Sequence, residues 1–320
     1  MKPAVTAVIV NWNAGDDLLR CVGCLKGIEG RLQLDVVVVD NASSDGSPDA
    51  LDTFGDGVRL VEMGGNFGFG RGVNRGVETS ATPYVLVLNP DVTVAPDAVE
   101  RLLDYLEAND RVGVVGPRLV DRRGRAQLSC GKAPRLTGEI CRKFLLHLVF
   151  PFLKFGCRVS RGPASVGWVT GACFLMRRRA FVAVGGMDDA IFMYYEDVDL
   201  CLRLGRAGWS VAYLPEAYAF HAGGESSRKV LERMLVEGVA SHLYVMKKHL
   251  GDQAGRLLAL LTFPEMILRT MLWGGLFLLP RFRKEAGARL KAYRRILTLG
   301  IDGRIGFGSR LGCAGPKEIS

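Results

Sequence analysis

The sequence predicts an α/β protein, with a mostly parallel sheet flanked by helices over residues 1–225 and a helical region over 226–320. Three observations carry this. Short β-branched runs alternate with helical patterns through the first half, as in parallel α/β sheets. The run Leu34–Val39 is apolar throughout, which is expected of a strand covered on both faces. Beyond about residue 226 the pattern becomes mainly helical and includes a strongly apolar stretch, 257–280.

Taken in order, Val5–Val10 reads as the first strand, and the polar NWN after it marks a strand rather than a secretion signal. A helix over 17–26 leads to the strand at 34–39. Helices near 48–51, 70–79 and 96–107 then alternate with strands at 58–62 and 84–88. Pro48 and Pro96 each stand where a first helical turn tolerates proline. Val112–Val120 reads as a strand, and residues 121–164 as a long excursion containing an apolar, aromatic stretch, 144–155, that suits either core or a membrane surface. A helix over 196–207 is expected to close on Gly208 as a left-handed cap, with a strand at 210–214 leading to His221.

The 320 residues are 48% hydrophobic and 23% charged, which is globular composition. The formal charge of +9 is uneven: residues 281–310 hold nine Lys or Arg against two Asp or Glu, a local +7. A basic run beside an apolar segment points to an anionic lipid surface. Nucleic acid is not expected as a partner, because the run has only Phe282, Tyr293 and Phe307 as aromatics. Cys21 and Cys24 form a CxxC with no second pair at metal-ligand spacing, so the eight cysteines read as ordinary thiols of a reducing cytoplasm. The uninterrupted apolar run, Thr270–Leu279, is shorter than the roughly 20 residues a bilayer requires. An in-plane helix with a basic collar is expected there, a tilted spanning helix being the alternative.

Five motifs could carry chemistry. In VVVVDNASSDGS, Asp40 ends a buried strand, where open α/β sheets place ligands, and its carboxylate could accept the N3–H of uracil or thymine. The same residues also make an ordinary turn. GGNFGFGRGVNRG opens a helix with glycines, Asn66 and Asn74; it suits either phosphate approach or close packing, and matches neither GxGxxG after the first strand nor a P-loop. LNPDV places Asp91 directly after a buried strand, a position suited to Mg²⁺ or Mn²⁺ carrying a diphosphate, or to a plain turn. MYYEDVDLCLR sets Glu196, Asp197 and Asp199 in a first helical turn, where acids suit the helix dipole and where one could serve as general base. Asp199 stands four residues before Arg203 and reads as structural. His221, in AFHAGG, is either a satisfied polar group or a donor to a manganese site.

Together and in this order, VIVNWN, VVDNASSDGS, NFGFGRGVNRG, LNPDV, TGACFLMRR, FMYYEDVDLCLR and FHAGGES resemble family 2 glycosyltransferases, over roughly residues 4–225. The wording is most similar to the rhamnosyltransferase-type branch. The resemblance implies the GT-A fold, with its Rossmann-like sheet, and a nucleotide-diphosphate sugar as donor, dTDP-rhamnose or a UDP-sugar. It implies donor binding by Asn11, Asp40, Asn66, Asn74 and Asp91, and a divalent cation, Mg²⁺ or Mn²⁺, on Asp91 and His221. Asp197 would be the catalytic base, with Glu196 the rival, in a single inverting displacement. Asn89 departs from the pattern, standing where many relatives have a first Asp, so cation binding would lean on the donor phosphates. The expected acceptor is a glycan or lipid-linked precursor in cell-envelope polysaccharide synthesis, reached from the inner face of the cell membrane. A nucleotidyltransferase would have a Gly-rich, Arg-containing loop where this chain has NWNAGDD. A non-catalytic binding protein would be expected to lack part of the acidic set.

Overall fold

A computed structural model describes residues 4–28, 32–144, 162–223 and 230–301. The chain divides into two compact units: one draws on Met1–Ala133, Gly156–Asp189 and Glu196–Ser226, the other on Pro134–Phe155, Ala190–Tyr195 and Ser227–Ser320. Most of the aromatic stretch 144–155 and the end of the basic run after residue 301 lie outside the described residues.

In the first unit the strands are β1 (Val5–Asn11), β2 (Leu34–Asp40), β3 (Arg59–Glu62), β4 (Tyr84–Leu88), β5 (Val92–Val94), β6 (Val112–Val120), β7 (Cys130–Gly131), β8 (Ala164–Val166), β9 (Trp168–Val169), β10 (Cys173–Arg177) and β11 (Ser210–His221). Along the chain the helices are α1 (Asp16–Lys26), α2 (Phe69–Glu78), α3 (Ala98–Ala108), α4 (Leu136–Lys143), α5 (Arg178–Ala183), α6 (Glu196–Arg206), α7 (Leu231–Leu250), α8 (Asp252–Phe277) and α9 (Arg283–Ile301).

The main sheet has the order β3-β2-β1-β4-β10-β6-β11-β5, with β8 on β11. β3, β2, β1 and β4 run parallel, as do β6 and β11. β10 lies antiparallel between β4 and β6. Burial explains the strand sequences: Val36–Val39, Val85–Leu88 and Cys173–Met176 are each at most 1% exposed, so both faces need apolar side chains. The expected helix at 48–51 is instead a 3-10 stretch, Asp49–Gly57, broken by Gly55 at φ 57°. Gly208 has φ 85°, the left-handed close expected after α6.

Two glycines of α2 set how closely it approaches the sheet. A Cβ on Gly72 would lie 2.6 Å from Val10 Cγ1, and one on Gly76 would lie 2.3 Å from Val8 Cγ1. Only glycine lets this helix pack so near β1.

The second unit contains α4, α7, α8 and α9, with α8 packed on the other three. Its interior holds charge. Lys143 Nζ is 2.7 Å from Glu265 Oε2 with both side chains buried, and Arg269 is 3.0 Å from Oε1 of the same carboxylate. A buried charge is tolerated only when paired in this way. Glu139 takes Arg142 Nε at 2.9 Å and lies 2.7 Å from His242 Nε2. Burial pushes the His242 imidazole down to about 4, and the Arg142 charge pushes the same way. Burial alone would raise Glu139, but the His242 hydrogen bond and the Arg142 charge hold it at about 2. The unit also carries Tyr194 and Tyr195, both at φ 66°, as the last residues before Glu196. Ser241 Oγ donates to Met193 O at 2.8 Å, and the Tyr195 and His242 rings lie 5.2 Å apart. Left-handed tyrosines in succession store strain that these contacts on α7 hold in place.

Candidate active site

The site is built at one edge of the sheet. Parallel pairing puts Asn11 beside Asp40 and Ile9 beside Leu88, so β1, β2 and β4 end together. This is the edge at which open α/β sheets bind ligands. Because β10 runs the opposite way, its first residue, Cys173, pairs with Leu88, and the segment before β10 arrives at the same edge.

Asn11 and Asp40 form a buried pair, with Asn11 Nδ2 donating to Asp40 Oδ1 at 2.8 Å. Ser43 donates its Oγ hydrogen to Asp40 Oδ1 at 2.6 Å and its backbone N–H to Oδ2 at 2.9 Å. The turn that follows Asp40 is therefore built on its carboxylate, yet Oδ2 accepts only one of these bonds. Asn11 Oδ1 is buried and has no hydrogen-bond partner. Asn13 (φ 51°) and Ala42 (φ 59°) are left-handed without being glycine, so strain gathers where β1 and β2 end.

Asn66 and Asn74 belong to the glycine-rich stretch. Asn66 Oδ1 accepts the Gly68 N–H at 3.1 Å and shapes the entry to α2. Asn74 faces a different neighbour: its Nδ2 donates to Met187 O and Asp189 Oδ1, both at 2.9 Å, and its Oδ1 accepts the Met187 N–H at 2.8 Å. Its amide is spent on clamping residues 187–189 to α2, which the sequence did not reveal.

Beyond β4, Asn89 N–H bonds to Ala172 O at 2.9 Å, and Ala222 N–H bonds to Asp91 O at 3.0 Å. The second bond carries β11 past the Asn89-Pro90-Asp91 turn. His221, the last residue of β11, sets Nε2 3.4 Å from Asp91 Oδ1, with both side chains largely buried. That Nε2 has no hydrogen-bond partner. An orphaned buried imidazole nitrogen facing a carboxylate fits a divalent cation, which accepts both N and O donors. Among the described residues no group of three or more His, Cys, Asp or Glu side chains is placed to hold a metal. Among the described residues, Asp91 and His221 are the pair that would hold such a cation.

Glu196 and Asp197 open α6. Asp197 Oδ2 accepts the Gly171 N–H at 2.7 Å and Oδ1 accepts the Val198 N–H at 2.7 Å. Gly171 precedes Ala172, the residue bonded to Asn89, so two adjacent residues anchor both the Asp197 carboxylate and the turn carrying Asp91. Burial raises the Asp197 carboxyl, against the pull of its two backbone N–H bonds. Burial, then the neighbouring Asp197 charge, drives Glu196 far above the carboxylate range, and its Oε2 has no partner. Adjacent acids raised by burial in this way are candidates for proton transfer. Asp199 is fully buried and bonded to Arg203 Nε at 2.7 Å, the structural pair its spacing predicts.

Two residues that the sequence reading did not single out belong here. Gly171 sits in TGACFLMRR, but nothing local marks its N–H as a carboxylate donor. Gln127 bonds to His221 across 94 positions, as described below.

The model of the family described as Glycosyl transferase family 2 matches residues 6–185. The chain is 32% identical over 271 residues to the N-acetylglucosaminyl-diphospho-decaprenol L-rhamnosyltransferase of Mycobacterium tuberculosis, covering 78% of this chain and 87% of that one. It is 29% identical over 189 residues to the rhamnosyltransferase WbbL of Escherichia coli, covering 53% and 66%. Among solved structures, the mannosyltransferase of Pyrobaculum calidifontis in complex with GDP-Man and Mn²⁺ superposes with a TM-score of 0.59 at 17% identity, covering 94% of this chain and 88% of that one. That likeness carries the GT-A fold. On the family match, the extent of the relatives and the fold, the chain belongs to glycosyl transferase family 2, is similar to its rhamnosyltransferases, and is a glycosyltransferase.

Proposed function

We propose that the chain is an inverting rhamnosyltransferase that takes rhamnose from dTDP-rhamnose and places it on a lipid-linked glycan at the cytoplasmic face of the membrane. The observation that supports this best is the Asp197 carboxylate, raised by burial and tied through Gly171–Ala172 to the turn bearing Asp91. The sugar and acceptor are suggested by the relative from Mycobacterium tuberculosis, whose name states both a rhamnosyl transfer and a diphospho-decaprenol acceptor.

In this reading Asp197 takes the proton from the acceptor hydroxyl as its oxygen attacks the anomeric carbon and the nucleoside diphosphate departs. A base raised from the ordinary carboxylate range lies nearer the working pH, which favours proton transfer. The Gly171 and Val198 N–H groups fix the carboxylate's orientation. Asn11 Oδ1, still lacking a partner, and Asp40 Oδ2 supply acceptors for the N3–H of thymine or uracil. Asp91 and His221 would hold Mg²⁺ or Mn²⁺, which offsets charge on the departing diphosphate when bound.

For the membrane, α8 has mean hydropathy 1.3 over 18 residues, with 22% of that stretch buried. Leu260, Ile267, Met271 and Leu278 are exposed, whereas Leu258, Thr262, Glu265 and Met266 face the unit's interior. One apolar side with the other side occupied, and Arg281, Arg283 and Lys284 at its end, is the pattern of an in-plane helix on an anionic surface.

The test is transfer by purified protein with Mn²⁺ or Mg²⁺ to a polyprenyl-diphosphate-linked N-acetylglucosamine, offering dTDP-rhamnose, UDP-glucose, UDP-galactose and UDP-galactofuranose in turn. Turnover of dTDP-rhamnose that is lost in Asp91→Ala supports the proposal. Turnover of a UDP-sugar instead would reassign the donor, and turnover unaffected by chelation would remove the cation.

A further inference from the structure

The neighbourhood of His221 carries an inference about how the cation donor is prepared, one that rests on the cation reading above. Gln127 lies on the return from β6, where its N–H bonds to Leu119 O at 2.9 Å. Its side chain meets His221 twice. Gln127 Nε2 donates to the His221 carbonyl at 2.9 Å, and Gln127 Oε1 stands 2.7 Å from His221 Nδ1.

The donor pattern follows from elementary chemistry. A backbone carbonyl can only accept, so the amide NH₂ of Gln127 must be the end that faces it. Oε1 then faces the ring, and since an amide oxygen can only accept, Nδ1 must carry the hydrogen. In a neutral imidazole with Nδ1–H, the lone pair is on Nε2. That is the buried atom without a partner, 3.4 Å from Asp91 Oδ1. This gap exceeds the roughly 2.7–2.9 Å of a charge-assisted N–H···O bond. In that neutral tautomer the Nε2 lone pair and the Asp91 carboxylate face one another as two acceptors.

We propose that Gln127 is a positioning residue: its amide grips the His221 carbonyl and Nδ1 together, fixes the Nδ1–H tautomer, and aims the Nε2 lone pair beside Asp91 at a divalent cation. An amide on the far nitrogen of a metal-binding histidine sets both ring orientation and tautomer, and loss of such a partner costs about 10–100-fold in metal affinity. Gln127 touches neither sugar nor phosphate in this scheme and acts only through His221.

Two measurements test this without turnover. The first is the tautomer of His221 in metal-free protein, read from imidazole ¹⁵N–¹H correlations and assigned by comparison with His221→Gln. Wild type is expected as Nδ1–H. Gln127→Leu should release it toward Nε2–H, and Gln127→Glu, which keeps an acceptor for Nδ1, should retain Nδ1–H. The second is Mn²⁺ affinity by electron paramagnetic resonance with saturating nucleoside diphosphate. Gln127→Leu should weaken it about 10–100-fold, and Gln127→Glu should weaken it less. Melting curves of both variants would show that the fold survives. An Nε2–H wild type, or a Gln127→Leu protein with unchanged tautomer and Mn²⁺ affinity, would overturn the proposal. A wild type with the Nδ1–H tautomer but no Mn²⁺ binding would overturn the cation reading itself, and the two failures are told apart because the tautomer is read without metal.

Discussion

Asp197→Asn and Glu196→Gln look like equivalent changes, but the structure separates them sharply. Both Asp197 oxygens accept backbone N–H bonds, from Gly171 and Val198. An asparagine has one acceptor oxygen, so its NH₂ must face one of those donors. A buried N–H left without an acceptor costs about 1–3 kcal/mol, so Asp197→Asn should lower stability by up to that amount, offset in part because it also removes the buried charge that raises the Asp197 carboxyl. If Asp197 is the base, turnover should also fall about 10²–10⁴-fold, equivalent to roughly 3–5 kcal/mol of barrier, while donor affinity holds.

Glu196 is the reverse case. Its Oε2 lacks a partner, and burial and the Asp197 charge raise its pKa in the folded state. A raised carboxyl favours folding fully below the unfolded value of 4.5, and that contribution is lost as pH rises through the folded value. Glu196→Gln removes this penalty, so the variant should match wild type near pH 4 and melt higher at pH 8. It should retain most turnover. Melting at the two pH values, donor titration calorimetry and nucleoside diphosphate release together decide the matter. If Glu196→Gln melts lower than wild type at pH 8, the electrostatic account fails. If it loses turnover while Asp197→Asn keeps it, the base is Glu196.

Gly76→Ala should destabilise the first unit by about 1–3 kcal/mol, since the new methyl would lie 2.3 Å from Val8 Cγ1 in a packed layer; a denaturation midpoint equal to wild type would refute this. The His242 imidazole, held near 4 against 6.5 unfolded, stabilises the fold above pH 6.5, and this is lost as pH falls toward 4. With Glu139 adding its loss below 4.5, wild type should weaken by about 3 kcal/mol from pH 6.5 to 4, and His242→Gln should flatten that slope in urea titrations. Leu260→Asp with Met271→Asp, at positions 66% and 69% exposed, should leave the fold intact yet cut flotation with anionic liposomes at least tenfold. Wild type that fails to float at low salt would remove the membrane reading. Finally, if Asp91 and His221 are the pair that the described residues contribute to the cation, Mn²⁺ should bind weakly alone and much more tightly with nucleoside diphosphate; equal affinities by calorimetry would contradict this.

The elements were legible where burial forces composition. β2 and β4 are covered on both faces, so Val36–Val39 and Val85–Leu88 have apolar side chains at every position, and their ends were read to within a residue or two. Strand direction was not legible. β10 is as apolar as β4, and nothing in Cys173–Arg177 says that it runs antiparallel between β4 and β6. Direction is set by the path of the intervening chain, not by the residues of the strand. The short helix expected at 48–51 became a 3-10 stretch because Gly55 takes a left-handed conformation within a run also holding Asp49, Asp52 and Asp56, residues that favour turns over helix.

For the site, the sequence located each motif, and the structure supplied the partnerships. Asp40 and Asp91 stand at or just beyond strand ends, a position that period and turn chemistry reveal, whereas β11 runs on past the strand expected at 210–214 to end at His221 itself. What each side chain can do depends on atoms far away in the chain. Asn74 and Asn11 look alike as polar residues in conspicuous motifs, yet Asn74 spends both ends of its amide on residues 113 and 115 positions distant, while Asn11 keeps a buried oxygen in reserve. His221 differs from an ordinary satisfied histidine because Gln127 occupies Nδ1 while the buried Nε2 keeps no hydrogen-bond partner. Chemistry at this sheet edge is therefore written as much in which hydrogen bonds are already taken as in which residues are present, and long-range pairing decides that.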